Sequence, residues 1–297
     1  MAIVDESTRV VVQGITGREA VTFVKDMLDY GTRVVAGVTP GKGGQKVHGV
    51  RVYDTVRDAV DHTGANTSVV SVPPLFAKSA VMEAVDAGIK LIVIVTERIP
   101  RHDVVDLLYY AKIRNVLVIG PNSLGVINPG IAKVGMIGGR KEDTERSFKK
   151  GIAAVISRSG GMTTEISNLL SHRGPGVSTA VSIGGDPLIG LRIKEAVEIF
   201  EKDPETKGIV IFSEPGGTQE EELAAYIKSN GLKKPIVVFQ AGRFADEFPG
   251  VRFGHAASIV EGEKGSPAHK IKVLKEAGVK VSETLNEILE IVPWESL

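Results

Sequence analysis

RVVVQGITGREAVTFVKDMLDYGTRVVAGV, residues 9–38, decides the fold class. It opens with a β-branched run from Arg9 to Gln13, turns through glycines, and continues as an amphipathic stretch from Glu19 to Tyr30. Gly31 then interrupts it, and a second β-branched run follows from Arg33 to Val38. This order predicts strand, helix, strand, with Gly31 as the helix stop. Parallel strands joined by a helix are the unit of an α/β sheet. Working outward, further strands are expected at Thr67 to Val72, Leu91 to Val95 and Val116 to Ile119, with a helix from Lys78 to Ala87 stopped by Gly88. From Gly120 to Lys150 the periodicity fails, and the charged stretch Arg140 to Lys150 reads as a linker. A second α/β series follows, with strands expected at Ile152 to Ser157, Ser178 to Ile183, Gly208 to Phe212, Ile236 to Gln240 and Val279 to Val281. The expected division is residues 1–130, a linker at 131–150, and residues 151–297.

A chain of 297 residues suffices for two domains, each with its own core. Basic and acidic residues number 36 each, so no net field draws the chain to nucleic acid or to an acidic membrane, and neither is expected as a partner. The absence of cysteine excludes disulfides, thiolate metal sites and cysteine nucleophiles. Met1 to Val10 is charged and has no apolar core of a signal peptide, and no apolar run approaches ~18 residues. A cytoplasmic protein is expected.

Gln13-Gly14-Ile15-Thr16-Gly17 joins the first strand to the first helix, where an open α/β sheet offers helix amides to a phosphate. A plain tight turn accounts for it equally well. The spacing is not G-x-G-x-x-G, and no carboxylate follows the second strand to hold a ribose, so NAD is disfavoured. Instead the second strand runs into Thr39-Pro40-Gly41-Lys42-Gly43-Gly44, a glycine turn carrying an ammonium. That suits a pyrophosphate or phosphorylated ribose, as in CoA or NADP, or else Lys42 is solvated. It is not a Walker A loop, because Lys42 is followed by glycine. Val95-Thr96-Glu97 and Gly120-Pro121-Asn122-Ser123 are further polar strand ends, either lining the same crevice or capping the next segment.

In the second half, Ser157-Arg158-Ser159-Gly160-Gly161 lies between strand and helix and forms a second candidate anion cradle. Of six histidines, His48, His62, His102, His172 and His269 lie in polar turns or on helix faces and are expected to be solvated. His255 is surrounded by Phe253, Gly254, Ala256 and Ala257, small neighbours that leave its ring room for a bulky group. Imidazole nitrogen accepts a phosphoryl group near neutral pH and passes it on. Such a ring needs a carboxylate to orient it, and Glu214 at a strand end in Ser213-Glu214-Pro215-Gly216-Gly217 offers one, unless it merely caps the next helix.

At these residues the chain resembles the α subunit of succinyl-CoA synthetase over essentially its whole length. The matches are QGITG at Gln13 to Gly17, GVTPGKGG at Gly37 to Gly44, VTE at Val95 to Glu97 and GPN at Gly120 to Asn122. They continue with SRSG at Ser157 to Gly160, IGGDP at Ile183 to Pro187, EPGG (EIGG in the family) at Glu214 to Gly217 and GHA at Gly254 to Ala256. The resemblance implies an α/β protein with a Rossmann-like CoA-binding domain followed by a flavodoxin-like parallel α/β domain. It implies coenzyme A contacts at Thr16, Gly17, Arg18, Glu19, Lys42, Val95, Thr96 and Glu97. It makes His255 the phosphohistidine, Glu214 its orienting carboxylate, and Ser157, Ser159 and Gly160 the start of a helix that holds the phosphate. The implied partner is an ATP-grasp β subunit carrying ATP or GTP with Mg²⁺, which fits the lack of a nucleotide triphosphate loop in this chain. The implied reaction joins an acid to CoA at the expense of NTP.

Three departures bear on the acid, expected to be dicarboxylic or a hydroxy acid. SRSGTLTYE of the family is SRSGGMTTE here, so Thr164 stands where a tyrosine associated with substrate is usual. GPNCPG is GPNSLG, and the GGM of the first motif, together with KVGMIGG at Lys133 to Gly139, looks like the corresponding region of ATP-citrate lyase and citryl-CoA synthetase. Arg243 to Arg252 differs from the family's lysine-rich loop. Succinate is the first expectation and citrate or another hydroxy acid the second. A non-catalytic CoA-binding regulator would leave His255 unemployed, and an NADP oxidoreductase lacks a nicotinamide-site pattern.

Overall fold

The computed structural model describes residues 3–247, 255, 260 and 264–297. They fall into two compact units, residues 4–145 with 188–191, and residues 146–187 with 192–297 and Ile3.

The first unit contains β1 (Val10–Gln13), α1 (Arg18–Tyr30), β2 (Val34–Val38), β3 (Lys46–Val47), β4 (Val50–Tyr53), α2 (Val56–Thr63), β5 (Thr67–Val70), α3 (Ala77–Asp86), β6 (Leu91–Ile94), α4 (Arg101–Lys112), β7 (Leu117–Ile119), β8 (Gly125–Asn128) and β9 (Ala132–Gly135). Helix α1 forms because Ala20, Phe23, Val24 and Met27 recur at helical spacing and are all buried. Gly31 ends it in the left-handed region at φ 100°, its N–H donating to Leu28 O at 3.0 Å. The sheet order is β3-β4-β2-β1-β5-β6-β7, parallel except for the β3–β4 hairpin. Central β1 is buried along its whole length, as an apolar parallel strand covered on both faces must be. The chain leaves β1 for β2 on one side and returns as β5 on the other. This reversal opens a crevice beyond the carboxyl ends of β1 and β5, the ligand position in doubly wound sheets. Gly14 (φ 79°) lies there, and a Cβ on it would fall 2.1 Å from Ser71 O.

Residues 131–150, expected to be a linker, contain β9 and a helix, and β8 just before them lies in the expected first domain. β8 and β9 pair antiparallel, Val126 opposite Val134, and α5 (Lys141–Ser147) follows. Both strands are four residues long and buried throughout, so no alternation of apolar and polar residues marks them.

Within β9 the side chain of Lys133 is fully buried, its Nζ donating to Gly139 O and to Thr144 Oγ1, the latter at 3.5 Å. Burial pulls this ammonium down from 10.5 to about 8. The folded chain therefore carries a penalty below pH 8 that is relieved as pH rises toward 10.5. We expect Lys133→Met to be at least as stable as the parent at pH 7.5. The parent should gain on the variant by up to about 3 kcal/mol above pH 8, measured by urea unfolding at a series of pH values.

The second unit contains β10 (Lys150–Ser157), α6 (Gly160–Arg173), β11 (Val177–Ser182), α7 (Ile193–Lys202), β12 (Gly208–Ser213), α8 (Gln219–Asn230), β13 (Ile236–Gln240), α9 (Pro267–Glu276), β14 (Lys280–Ser282) and the short α10 (Glu287–Glu290). Five parallel strands run β14-β13-β12-β10-β11. Counted along the chain this is the order 2-1-3-4-5 of flavodoxin-like sheets, whose ligands also sit at the carboxyl ends of strands. Those ends are Ser157, Ser182, Ser213, Gln240 and Ser282. Among the described residues no helix is long and apolar enough to cross a membrane.

Candidate active site

Two separate clusters of the residues singled out in the sequence occupy the carboxyl ends of the two sheets.

In the first unit, the ends of β1, β2 and β5 enclose a cavity of about 460 Å³ lined by Gln13, Gly14, Thr16, Gly17, Thr39 and Pro73 among others. A neighbouring cavity of about 600 Å³ shares Gly17, Ser71, Val72 and Pro73 and adds Arg18, Glu19, Val95, Thr96, Glu97 and Asn122. Both volumes are in the range of small-molecule sites. Lys42 lies at the ends of β1 and β2, its Nζ donating to Thr16 Oγ1 at 3.1 Å, and Thr16 Oγ1 lies 3.3 Å from Thr39 Oγ1. The eight residues expected to contact CoA are therefore brought to one end of one sheet. Thr96 turns its hydroxyl inward to Val72 O at 2.8 Å, and Glu97 pairs with Arg98 at 3.3 Å on the surface. The glycine turn is held from a direction the sequence did not show. Asp54, just after β4, accepts from Gly43 N–H at 2.9 Å, so this carboxylate braces the loop.

In the second unit, His255 and Glu214 meet. His255 Nδ1 lies 2.8 Å from Glu214 Oε2 and 3.0 Å from Oε1. The carboxylate accepts the Nδ1 proton, which leaves the Nε2 lone pair free in the neutral ring. The imidazole side chain is 30% exposed and the carboxylate 12%, so the pair is shielded while the ring keeps an open side. The hydrogen bond that Nδ1 donates to Glu214 raises the His255 pKa above its ordinary value. Burial, and more weakly the charge of Arg158, oppose that, while the charges of Glu214 and Asp186 add to it. The ring lies against Gly185 in the turn after β11, where a Cβ would fall 2.5 Å from His255 Cδ2 and 2.8 Å from Nε2. Only glycine gives the imidazole that berth. Gly254 and Ala256, Phe253, Ala257 and residues 248–252 lie outside the described residues.

The serine loop closes the site from β10. Ser159 caps α6, its Oγ accepting from Met162 N–H at 3.4 Å. Ser157 is fully buried and bound within the loop, accepting from Ser159 N–H at 3.0 Å and donating to Ser159 O at 2.7 Å. Gly160 begins the helix, and Thr164, one turn in, donates to Gly160 O at 3.4 Å. A helix start of this kind attracts an anion through its free amides and its dipole.

Family comparisons agree with both halves. Residues 5–98 match the family described as CoA binding domain, and residues 150–294 that described as succinyl-CoA ligase like flavodoxin domain. Subunit alpha 1 of the ADP-forming succinate–CoA ligase of Archaeoglobus fulgidus is 48% identical over 292 residues, 98% of this chain and 96% of that one. This chain belongs to the succinate–CoA ligase α-subunit family. Its Aquifex aeolicus relative of the same name is 45% identical over 99% of this chain and 96% of that one. Among solved structures, ATP citrate lyase from Methanothrix soehngenii in complex with citrate and coenzyme A superposes with a TM-score of 0.90 at 25% identity. It covers 97% of this chain, which spans 49% of that longer one.

Three features of this ligase-family site escaped the sequence reading. Arg158 stood inside the quoted serine motif without being singled out. The residue is 4% exposed, Nη2 donating to Asp186 O at 3.1 Å and to Gly185 O at 3.5 Å, with Nε buried and without a hydrogen-bond partner among the described residues. It anchors the turn that carries Gly185. Gly185, within Ile183 to Pro187, reads in the sequence as an ordinary turn glycine. Lys270 gave no signal beyond being one lysine in a helix. The other five histidines divide: His48, His62, His102 and His172 are exposed as expected, but His269 is half-buried on α9.

Proposed function

We propose that this chain is the α subunit of a succinate–CoA ligase that forms ADP or GDP, working through phosphorylation of His255. The contact between His255 Nδ1 and the Glu214 carboxylate carries the reading, because it fixes the ring as a nucleophile at Nε2. Nε2 attacks the γ-phosphorus of the nucleotide, an N–P bond forms, and the bond to the leaving NDP breaks. Glu214 holds the Nδ1 proton and balances the ring's positive charge while the phosphoryl is in place. A carboxylate oxygen of the acid then attacks phosphorus, the N–P bond breaks with its electrons returning to Nε2, and an acyl phosphate results. The CoA thiol, as thiolate, attacks the acyl carbon, and phosphate leaves as the thioester forms. The start of α6, with Ser159 and Gly160, receives the anionic group, and Ser157 holds that loop in shape. The CoA-side residues are Thr16, Gly17, Arg18, Glu19, Lys42, Val95, Thr96 and Glu97, with Lys42 suited to a phosphate of CoA.

The nucleotide, with Mg²⁺, belongs to a separate ATP-grasp β subunit. This is supported by the relatives' naming as alpha subunits and by the 49% share of the longer lyase chain that this one spans. The hetero-oligomer, and the cytoplasmic setting expected of a soluble metabolic enzyme, are part of the same reading. A second acid is favoured by one observation. The TM-score of 0.90 against a lyase holding citrate, with Thr164 in place of tyrosine, makes a hydroxy acid the alternative. Thioester formation by the chain with a β partner, compared on succinate, malate and citrate, tests the proposal. The highest kcat/KM is expected on succinate. Preference for citrate moves the substrate to the alternative, and turnover by the chain without any partner contradicts the division of labour.

A further inference from the structure

Behind the Glu214 loop lies a buried ion pair that the chemistry above does not use. Lys270, on α9, is fully buried, and its Nζ donates to Glu214 O at 2.8 Å and Gly216 O at 2.6 Å and pairs with Glu220 Oε2 at 2.7 Å. These three partners match the three protons of an ammonium. Glu220, in the first turn of α8, is 2% exposed, and its other oxygen accepts from Ser213 Oγ at 2.7 Å at the end of β12. Burial pushes the Glu220 carboxyl upward, but Lys270, Ser213 and Arg158 together hold it below its ordinary value, so the pair is ionised. A buried ion pair adds little stability over apolar residues of the same size. What this one supplies is placement: a single ammonium grips the carbonyls of Glu214 and Gly216, on either side of Pro215. The loop is held on its far flank by Gly216 N–H donating to Gly265 O at 2.8 Å, and Gly265 N–H in turn donates to Glu221 Oε1 at 2.9 Å.

We propose that Lys270, held by Glu220, is a positioning residue for the phosphoryl chemistry. It pins the backbone on both sides of Pro215 and so sets where the Glu214 carboxylate meets His255 Nδ1. The inference rests on the reading of His255 as phosphoryl carrier. It touches neither substrate nor the reacting nitrogen.

The test uses the complete α–β complex in single turnovers with γ-labelled ATP across pH, alongside thermal unfolding and KM for CoA. Lys270→Met alone strands the Glu220 charge, so the informative variants are Lys270→Met with Glu220→Gln, which is neutral throughout, and the isosteric Glu220→Gln alone. The groups facing His255 are Glu214, Arg158 and Asp186, and only the first is loosened by these changes. The double variant is expected to phosphorylate His255 about 100-fold more slowly and Glu220→Gln about 10-fold more slowly. In both, the rise of rate with pH moves toward more acid values, because the hydrogen bond that lifts the His255 pKa is weakened. KM for CoA stays within about twofold, and a role confined to stability moves neither the pH profile nor the ratio of kcat to KM in this way. A folded variant that keeps the parent rate and the parent pH profile overturns the positioning role. A parent complex with no label on His255 overturns the phosphohistidine reading and this inference with it.

Discussion

His255→Asn in the assembled complex is expected to take up no label from γ-labelled ATP and to form thioester at least ~10⁴-fold more slowly than the parent. Asparagine nearly fills the space of the ring and keeps a hydrogen-bond donor toward Glu214. Its amide nitrogen, however, has its lone pair delocalised into the carbonyl and cannot attack phosphorus. The ring is partly exposed, so the fold and its unfolding temperature should be almost unchanged. Loss of activity without loss of structure, read by circular dichroism and a thioester assay on the same sample, is the expected signature. Activity within tenfold of the parent contradicts the role given to this residue.

Glu214→Gln is expected to slow phosphorylation by about 10²- to 10³-fold and to change its pH dependence. In the parent the hydrogen bond to Glu214 raises the His255 pKa. Below that pKa both ring nitrogens carry protons and Nε2 has no free lone pair, so the rate rises at a higher pH than it would for an ordinary imidazole. The neutral amide still accepts from Nδ1 but no longer favours the imidazolium, so the rise should move back toward about 6.5 or below. The deficit of the variant is thus smallest in acid and widest at alkaline pH. Stability follows the same linkage: the raised pKa contributes stability that is present below about 6.5 and lost as pH rises through the folded value. The glutamine variant should lack this acid-side contribution, a difference accessible by denaturant titration at pH 5.5 and 8.

The two series of parallel strands were legible because each strand is a short run of β-branched residues ended by a polar or glycine turn. Residues 9–38 alone contain β1, α1 and β2 almost to the residue. What failed did so for local reasons. Val50 to Tyr53 forms β4 but lies among turn residues after the glycine loop, too short to display a period. The β8–β9 hairpin is buried on all sides and so carries no alternation, and the charged run after it folds as α5. The candidate site was legible to the extent that its residues sit at strand ends: Ser157, Glu214 and the loop after β1 could be placed on ligand-binding edges without coordinates. The pairing of Glu214 with His255, 41 residues apart, is implied by the resemblance and not by spacing, and the fold shows the hydrogen bond itself. Contacts of Lys270 and Arg158 depend on how helices and turns pack behind the loops. A buried lysine or arginine has the same letter as a solvated one, so nothing in the sequence marks these two as buried, although Arg158 lies within the SRSG motif.

The most direct measurement is to find the phosphoryl group itself. The complex is incubated briefly with γ-labelled ATP and Mg²⁺, denatured in alkali, cleaved, and the labelled peptide sequenced by mass spectrometry. One acid-labile, alkali-stable label is expected on the peptide containing His255, discharged when ADP is added or when the acid and CoA are supplied together. Label on another residue of this chain, or thioester formed at full rate with His255 never modified, contradicts the role of His255.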